Sequence, residues 1–362
     1  MRQACCAEIS LSALHHNARV VRKKTPHAKI AAVVKADAYG HGVKTVVAAL
    51  ERHVDLFAVA YLEEALELRL SCQHPILVLE GFFDQQELEA AAKQNIACVV
   101  HSAYQLALLE SFPCTENMDL WLKVDTGMNR LGFSLGEFQK VYATLNANIK
   151  QRSLTLMSHL SSADELESDV SARQISVFNK LVGGKNKAVS LSNSAGIMAW
   201  PSANTEQYQQ WVRPGIMLYG CTPFDNSSGA EDGLQAAMTL RSTIIGLREI
   251  DAGESVGYGA TWQAERPSRI GVVAIGYGDG YPRHAKTGTP VLVNGQRVPL
   301  VGRVSMDMIT VDLTDVEGVE IGDAAILWGQ GLPAEEVARH AGTISYELLT
   351  GITARVVRRV AE

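Results

Sequence analysis

Lys35 closes the apolar run Ile30-Ala31-Ala32-Val33-Val34, and Ala36-Asp37-Ala38-Tyr39-Gly40-His41-Gly42 follows it. A short apolar run of this kind reads as a strand buried on both faces. In α/β proteins such strands present their C-terminal ends to the ligand crevice. Lys35 is therefore expected on a rigid element with an apolar wall behind it. Partial desolvation disfavours the charge of an ammonium and leaves a nucleophilic amine able to form a Schiff base with a carbonyl. The plainer alternative is a solvated lysine at a strand end. Tyr39, Gly40 and Gly42 weigh against it, because a hydroxyl and open backbone N–H groups beside a helix start suit a phosphate.

Other residues carry similar potential. By alternation, Trp121, Lys123 and Asp125 share one face at the end of a predicted strand. The segment Asp125-Thr126-Gly127-Met128-Asn129-Arg130 continues from it, and His159 closes another apolar run. Ser192-Asn193-Ser194-Ala195-Gly196 is a small, hydroxyl-bearing turn at a helix start, which alone would be an N-cap and with a ligand an anion site. Arg213 stands inside an apolar run, where a guanidinium must find a partner because it does not shed its charge. Tyr258 lies between Gly257 and Gly259, and a structural aromatic is its default reading.

Short apolar runs at residues 30–34, 56–60, 76–79, 97–100, 120–123, 154–159, 189–191 and 212–218 alternate with amphipathic stretches such as 43–51, 63–70, 85–93 and 103–110. About eight strands alternating with helices predict a (β/α)₈ TIM-type barrel. An open doubly wound sheet is the runner-up, weakened because no GxGxxG follows the first strand. After about residue 230 the texture changes to strand-like runs at 239–250, 269–275, 290–293, 297–301, 308–313 and 324–327, with Asn294-Gly295 as a hairpin turn and one amphipathic stretch at 333–340. We expect a barrel over residues 1–230, a linker at 226–233 and a mainly β C-terminal domain over 231–362.

The 362 residues, 47% of them hydrophobic, suffice for two cores, and the net charge of −6 offers no footprint for nucleic acid or an anionic membrane. No apolar run approaches the roughly 18 residues of a membrane span. Cys5, Cys6, Cys72, Cys98, Cys114 and Cys221 lack disulfide or metal-ligand spacing. A cytoplasmic protein without a metal centre is expected.

Residues 34–42 resemble the pyridoxal-phosphate (PLP) signature of alanine racemases, and the similarity continues over essentially the whole chain; it also implies that the opening residues pair with the C-terminal domain, which makes the domain boundary discontinuous. It implies a PLP-dependent isomerase of L- and D-alanine, serving peptidoglycan synthesis or alanine catabolism, with Lys35 carrying PLP and Tyr39 binding its phosphate. Lys123–Gly132 resembles a second family segment, in which Arg130 meets the cofactor and the substrate carboxylate and Lys123 matches a lysine that many members carry as a carbamate. By the same resemblance His159 lies against the cofactor ring, while Ser194, Gly215, Ile216 and Tyr346 meet phosphate. Arg213 would bond the pyridine nitrogen. A carboxylate there would keep that nitrogen protonated, whereas a donating arginine leaves it unprotonated and limits carbanion character, which favours racemisation over transamination. Tyr258 becomes the second base, reaching the site of the partner subunit in a homodimer, and a chain through His159 to Arg213 is expected to tune it. Tyr277 and Tyr346 match gate tyrosines. Met306, through its backbone, and Asp307 match the holders of the substrate carboxylate. The rivals are a broader-specificity amino-acid racemase, a decarboxylase of the same plan, and a non-catalytic PLP-binding barrel, which would lack the β domain.

Overall fold

The computed structural model describes residues 5–361 apart from 113–115, 117, 148–149, 186 and 204–206; Cys114 lies outside them. Strand β1 (Cys6–Ser10) leads into helix α1 (Leu11–Lys24), whose first turn is capped by the Ser10 hydroxyl accepting from Ala13 N at 3.2 Å. Eight parallel strands follow: β2 (Lys29–Val33), β3 (Leu56–Val59), β4 (Ile76–Val78), β5 (Ile96–Val100), β6 (Asp119–Lys123), β7 (Ser153–Met157), β8 (Ala188–Ser190) and β9 (Gln210–Val212). They close into a barrel through the pairing of β2 with β9. The predicted (β/α)₈ architecture is present.

The strands are buried on both faces because their sequences are apolar on both; Ile76, Leu77 and Val78 are fully buried. Between strands, helices cover the barrel with one apolar stripe each. In Gln85–Lys93, Leu88 and Ala91 are the buried pair and Asp84 caps Glu87 N at 2.9 Å. The expected strand at 212–218 is shorter than its apolar run: it stops at Val212, since Pro214 has no N–H to give the ladder, and Ile216–Tyr219 winds into a 3₁₀ turn.

The second half forms the mainly β layer. Its central strand β10 (Met238–Ile250) pairs along one part with Ala324–Trp328 and β1, and along another with Ser268–Val273, which in turn pairs with Ile309–Asp312. The hairpin Pro290–Val293/Gln296–Pro299 turns on Asn294 (φ 48°) and Gly295 (φ 77°), the two positive φ values a type I′ turn requires. β1 sits between β10 and Val357–Ala361, antiparallel to the first and parallel to the second. No described helix is long and apolar enough to cross a membrane.

Candidate active site

Lys35 leaves β2 at the C-terminal mouth of the barrel, partly buried. The chain then coils left-handed: Ala36, Asp37, Ala38 and Tyr39 all have φ between 52° and 54°, and Gly40 follows at 78°. Consecutive left-handed residues with a Cβ cost roughly 1–2 kcal/mol each, so the surroundings must hold them. Ala36 N donates to Glu64 Oε1 (2.7 Å), Val43 N donates to Asp37 Oδ1 (2.8 Å), and His41 Nδ1 bonds the Tyr39 carbonyl (2.9 Å). Gly40 presses on Ser345–Thr350 so closely that a Cβ would lie 2.1 Å from the Leu349 carbonyl oxygen. One expectation is corrected here. The N–H groups of Gly40 and Gly42 are not open to a phosphate, because they close this turn by donating to the Ala36 and Asp37 carbonyls at 3.0 Å each.

The turn returns Tyr39 to the barrel wall, where its ring stacks on Tyr219 at 4.7 Å and lies 6.1 Å from Tyr346. Burial pushes the Tyr39 hydroxyl up to about 12, so at neutral pH it remains a donor. Facing it is Gly215, where a Cβ would come within 2.6 Å of Tyr39 Oη. Gly215 N donates to Ser194 Oγ at 3.0 Å, and Met217 N reaches the same oxygen at 3.4 Å. Ser194 opens helix Ser194–Ala199, and Ile216 opens the 3₁₀ turn. Two hydroxyls and the start of a turn thus converge on a cradle that even a methyl group would fill. Its shape and donors fit a phosphate.

Across the mouth, Arg213 is buried and held through both terminal nitrogens. Its Nη1 donates to Ser190 Oγ (2.5 Å), and its Nη2 donates to the Ser158 carbonyl (2.8 Å) and to His159 Nδ1 (3.1 Å). Desolvation lowers it to about 10, which leaves it charged at neutral pH. Burial and the Arg213 charge hold His159 well below the usual histidine range. A neutral imidazole that accepts at Nδ1 carries its proton on Nε2. Lys123, at the end of β6, is buried, and desolvation followed by the Arg213 and Arg130 charges lowers it to about 8. Arg130 lies on the exposed loop beyond, while Asp125 caps that loop by accepting from Gly127 N and Met128 N at 2.8 and 2.9 Å.

Sequence reading missed Glu80 and His101, just past the ends of β4 and β5. His101 Nε2 bonds the Glu80 carbonyl at 3.0 Å, its Nδ1 is buried without a partner, and burial, helped by the charge of Lys123, lowers its pKa. Ser190 and Ser158, which anchor Arg213, were missed as well. All four follow or end barrel strands, and that position is the signal that could have found them.

Tyr258, Met306, Asp307 and Tyr277 gather on the β domain. Tyr258 is 70% exposed and Met306 52%. The Tyr258 turn rests on the Arg303 loop, whose guanidinium would lie 3.3 Å from a Cβ on Gly259. Tyr277 N donates to the Ser305 carbonyl (3.1 Å) and Gly278 N to the Met306 carbonyl (2.8 Å), so these loops make one surface. The barrel mouth and this surface are the two places where the expected site residues collect.

Comparison with known proteins bears on what these two places serve. The family model for the alanine racemase N-terminal domain matches residues 9–223, and that for the C-terminal domain matches 237–360. The chain is 49% identical to an alanine racemase of Pseudomonas taetrolens and 48% identical to a catabolic alanine racemase of Pseudomonas putida, over 96% of each chain. It superposes on the crystal structure of the biosynthetic alanine racemase of Pseudomonas aeruginosa with a TM-score of 0.95 and 46% identity, covering both chains fully. A second match, at TM-score 0.90 and 30% identity over 99% of this chain and all of that one, is the Bartonella henselae alanine racemase with covalently bound pyridoxal phosphate. With both family domains spanned in order on this barrel and sheet, the chain belongs to the alanine racemases, the PLP-dependent amino-acid isomerases.

Proposed function

We propose that this chain interconverts L- and D-alanine with two bases on opposite faces of the substrate, Lys35 from the barrel and Tyr258 from the β domain of a partner subunit. The observation that carries this reading is the exposure of Tyr258 on a β-domain surface shared with Met306, Asp307 and Tyr277. A contiguous surface exposing two tyrosines and a methionine marks a place of association, and two such chains would each close the other's mouth.

PLP bound at Lys35 supplies the electron-withdrawing group that makes an amino acid's α-proton removable. The chain's own groups do the rest. Ser194, Gly215, Ile216, Tyr39 and Tyr346 would hold the phosphate end. Arg213 would donate to the ring nitrogen without protonating it, since its charge is permanent at working pH. His159 would border the ring, and Arg130, backed by Lys123 as a carbamate, would meet the substrate carboxylate. Tyr277 and Tyr346 narrow access to a small side chain. Once the substrate's own amine has taken its place, the freed Lys35 amine would remove the α-proton of D-alanine from one face and the Tyr258 hydroxyl deliver one to the other; L-alanine runs in reverse. The domain division at about residue 230, a cytoplasmic location, and service to peptidoglycan or to alanine catabolism belong to the same proposal. Relatives named biosynthetic and catabolic both match the chain closely.

Tyr258→Phe tests the mechanism. Folding and PLP loading should survive, and racemisation should fall roughly 10²–10⁴-fold, the range for losing one proton-transfer group. In deuterium oxide the variant should exchange the α-proton of D-alanine faster than that of L-alanine without comparable inversion. Equal exchange from both enantiomers would mean one base serves both faces.

A further inference from the structure

Three backbone segments of the β domain meet at one joint. Gly276 lies so tightly under the 305–308 turn that a Cβ would sit 2.3 Å from the Ser305 and Met306 carbonyl oxygens. Ser305 N closes that turn by donating to the Met308 carbonyl at 3.0 Å. Asp279, nearly buried, accepts from Gly276 N at 3.0 Å, and its carbonyl accepts from Thr353 N at 3.1 Å. Thr353 Oγ1 donates to the Gly278 carbonyl at 2.9 Å. From this third segment Arg355 reaches across the joint. Its Nε pairs with Asp279 Oδ1 at 3.2 Å and its Nη2 with Asp307 Oδ1 at 2.7 Å, while Nη1 would lie 2.3 Å from a Cβ on Gly278.

This geometry constrains what Asp307 can do. An ionised aspartate cannot accept from a second carboxylate and repels it. On this loop it is the backbone N–H groups of the Met306–Asp307 turn that can meet such an anion, opposite Arg130, provided that the Asp307 charge is answered. An exposed ion pair contributes little to stability, so the value of this one lies in placement and charge. We infer that Arg355 is the positioning residue for substrate binding: it holds the Asp307 carboxylate towards its own guanidinium, offsets part of its charge, and so leaves the 306–307 backbone to meet a substrate carboxylate. The inference rests on the proposed reading of this loop as the carboxylate site.

The test uses the holoenzyme, steady-state kinetics with both enantiomers, and propionate as a competing carboxylate that undergoes no reaction. Arg355→Gln should raise KM for L- and D-alanine and the propionate inhibition constant together, by about tenfold, as for loss of an ionic hydrogen bond. PLP absorbance should be retained and kcat should change far less. Arg355→Lys, which keeps charge but not the fork, should fall between. Adding Asp307→Asn to Arg355→Gln should restore most of the lost propionate affinity, because the uncompensated charge is gone; a merely structural role for Arg355 would not be repaired this way. An Arg355→Gln enzyme with unchanged KM and inhibition constant, or a loss that Asp307→Asn fails to repair, overturns the inference. A wild type that does not racemise alanine, or that propionate does not inhibit competitively, overturns the reading of the site instead.

Discussion

A single hydrogen is all that Gly215 offers Tyr39, since a Cβ would stand 2.6 Å from the phenolic oxygen. Gly215→Ala should therefore weaken PLP binding by roughly tenfold to a hundredfold, the 1–3 kcal/mol typical of overpacking, as read by equilibrium dialysis against free PLP. Unchanged affinity would remove Gly215 from the phosphate cradle. Lys123 gives a pH-dependent expectation. Its pKa falls from 10.5 to about 8 on folding, so the folded state binds its proton less readily than the unfolded chain. That cost is complete below pH 8, fades between 8 and 10.5, and stability rises with pH across the window. In carbon-dioxide-free buffer, Lys123→Met should gain roughly 1–3 kcal/mol over the wild type in urea unfolding at pH 7 and lose that advantage near pH 10.5. With ¹³C-bicarbonate, a carbamate resonance absent from the variant should mark the neutral amine at this position.

At the scale of elements, the left-handed turn at 36–40 is the feature that sequence concealed. Nothing in Ala36-Asp37-Ala38-Tyr39 announces it: alanine is the strongest helix former in the right-handed sense, and only Gly40 and Gly42 hint at positive φ. Tertiary contacts from Glu64, Leu349 and Arg358 impose it. Ala36→Gly should stabilise the protein by roughly 0.5–1 kcal/mol, because glycine takes this conformation without strain. Asp37→Gly should gain less or lose, as it also removes the cap on Val43 N. Urea midpoints at constant m value would separate the two. The barrel strands were legible because burial on both faces writes itself as unbroken apolar runs. β1 and Val357–Ala361 were not legible from their own residues, since Cys6-Ala7-Glu8-Ile9-Ser10 is short and Val357-Arg358-Arg359-Val360-Ala361 is mostly charged or exposed; only the family resemblance implied that the opening residues join the second domain. The chemistry-bearing residues of the mouth were legible one by one, but their partners Ser158, Ser190, Glu80 and His101 are ordinary types whose role comes only from strand-end placement.

For the whole molecule, the shared site makes a sharp stoichiometric prediction. When Lys35→Ala and Tyr258→Phe chains are mixed, unfolded and refolded together, about a quarter of wild-type activity should return, because half the dimers are mixed and one of their two sites is whole. Demonstrated mixed dimers without activity would place both bases in one chain. The position of β1 has a different reach. Cys6–Ser10 lies inside the second sheet, yet its neighbour Met238–Ile250 stands roughly 230 residues further on, and Val357–Ala361 further still. At the usual pace of synthesis, roughly 5–20 residues per second, that strand waits on the order of ten seconds or more for its first partner while the barrel between them is made. The order of assembly is thus written into the topology: the barrel can close on the ribosome, but the β layer, and with it Tyr258 and the 305–307 loop, can be completed only when the earliest and latest parts of the chain meet.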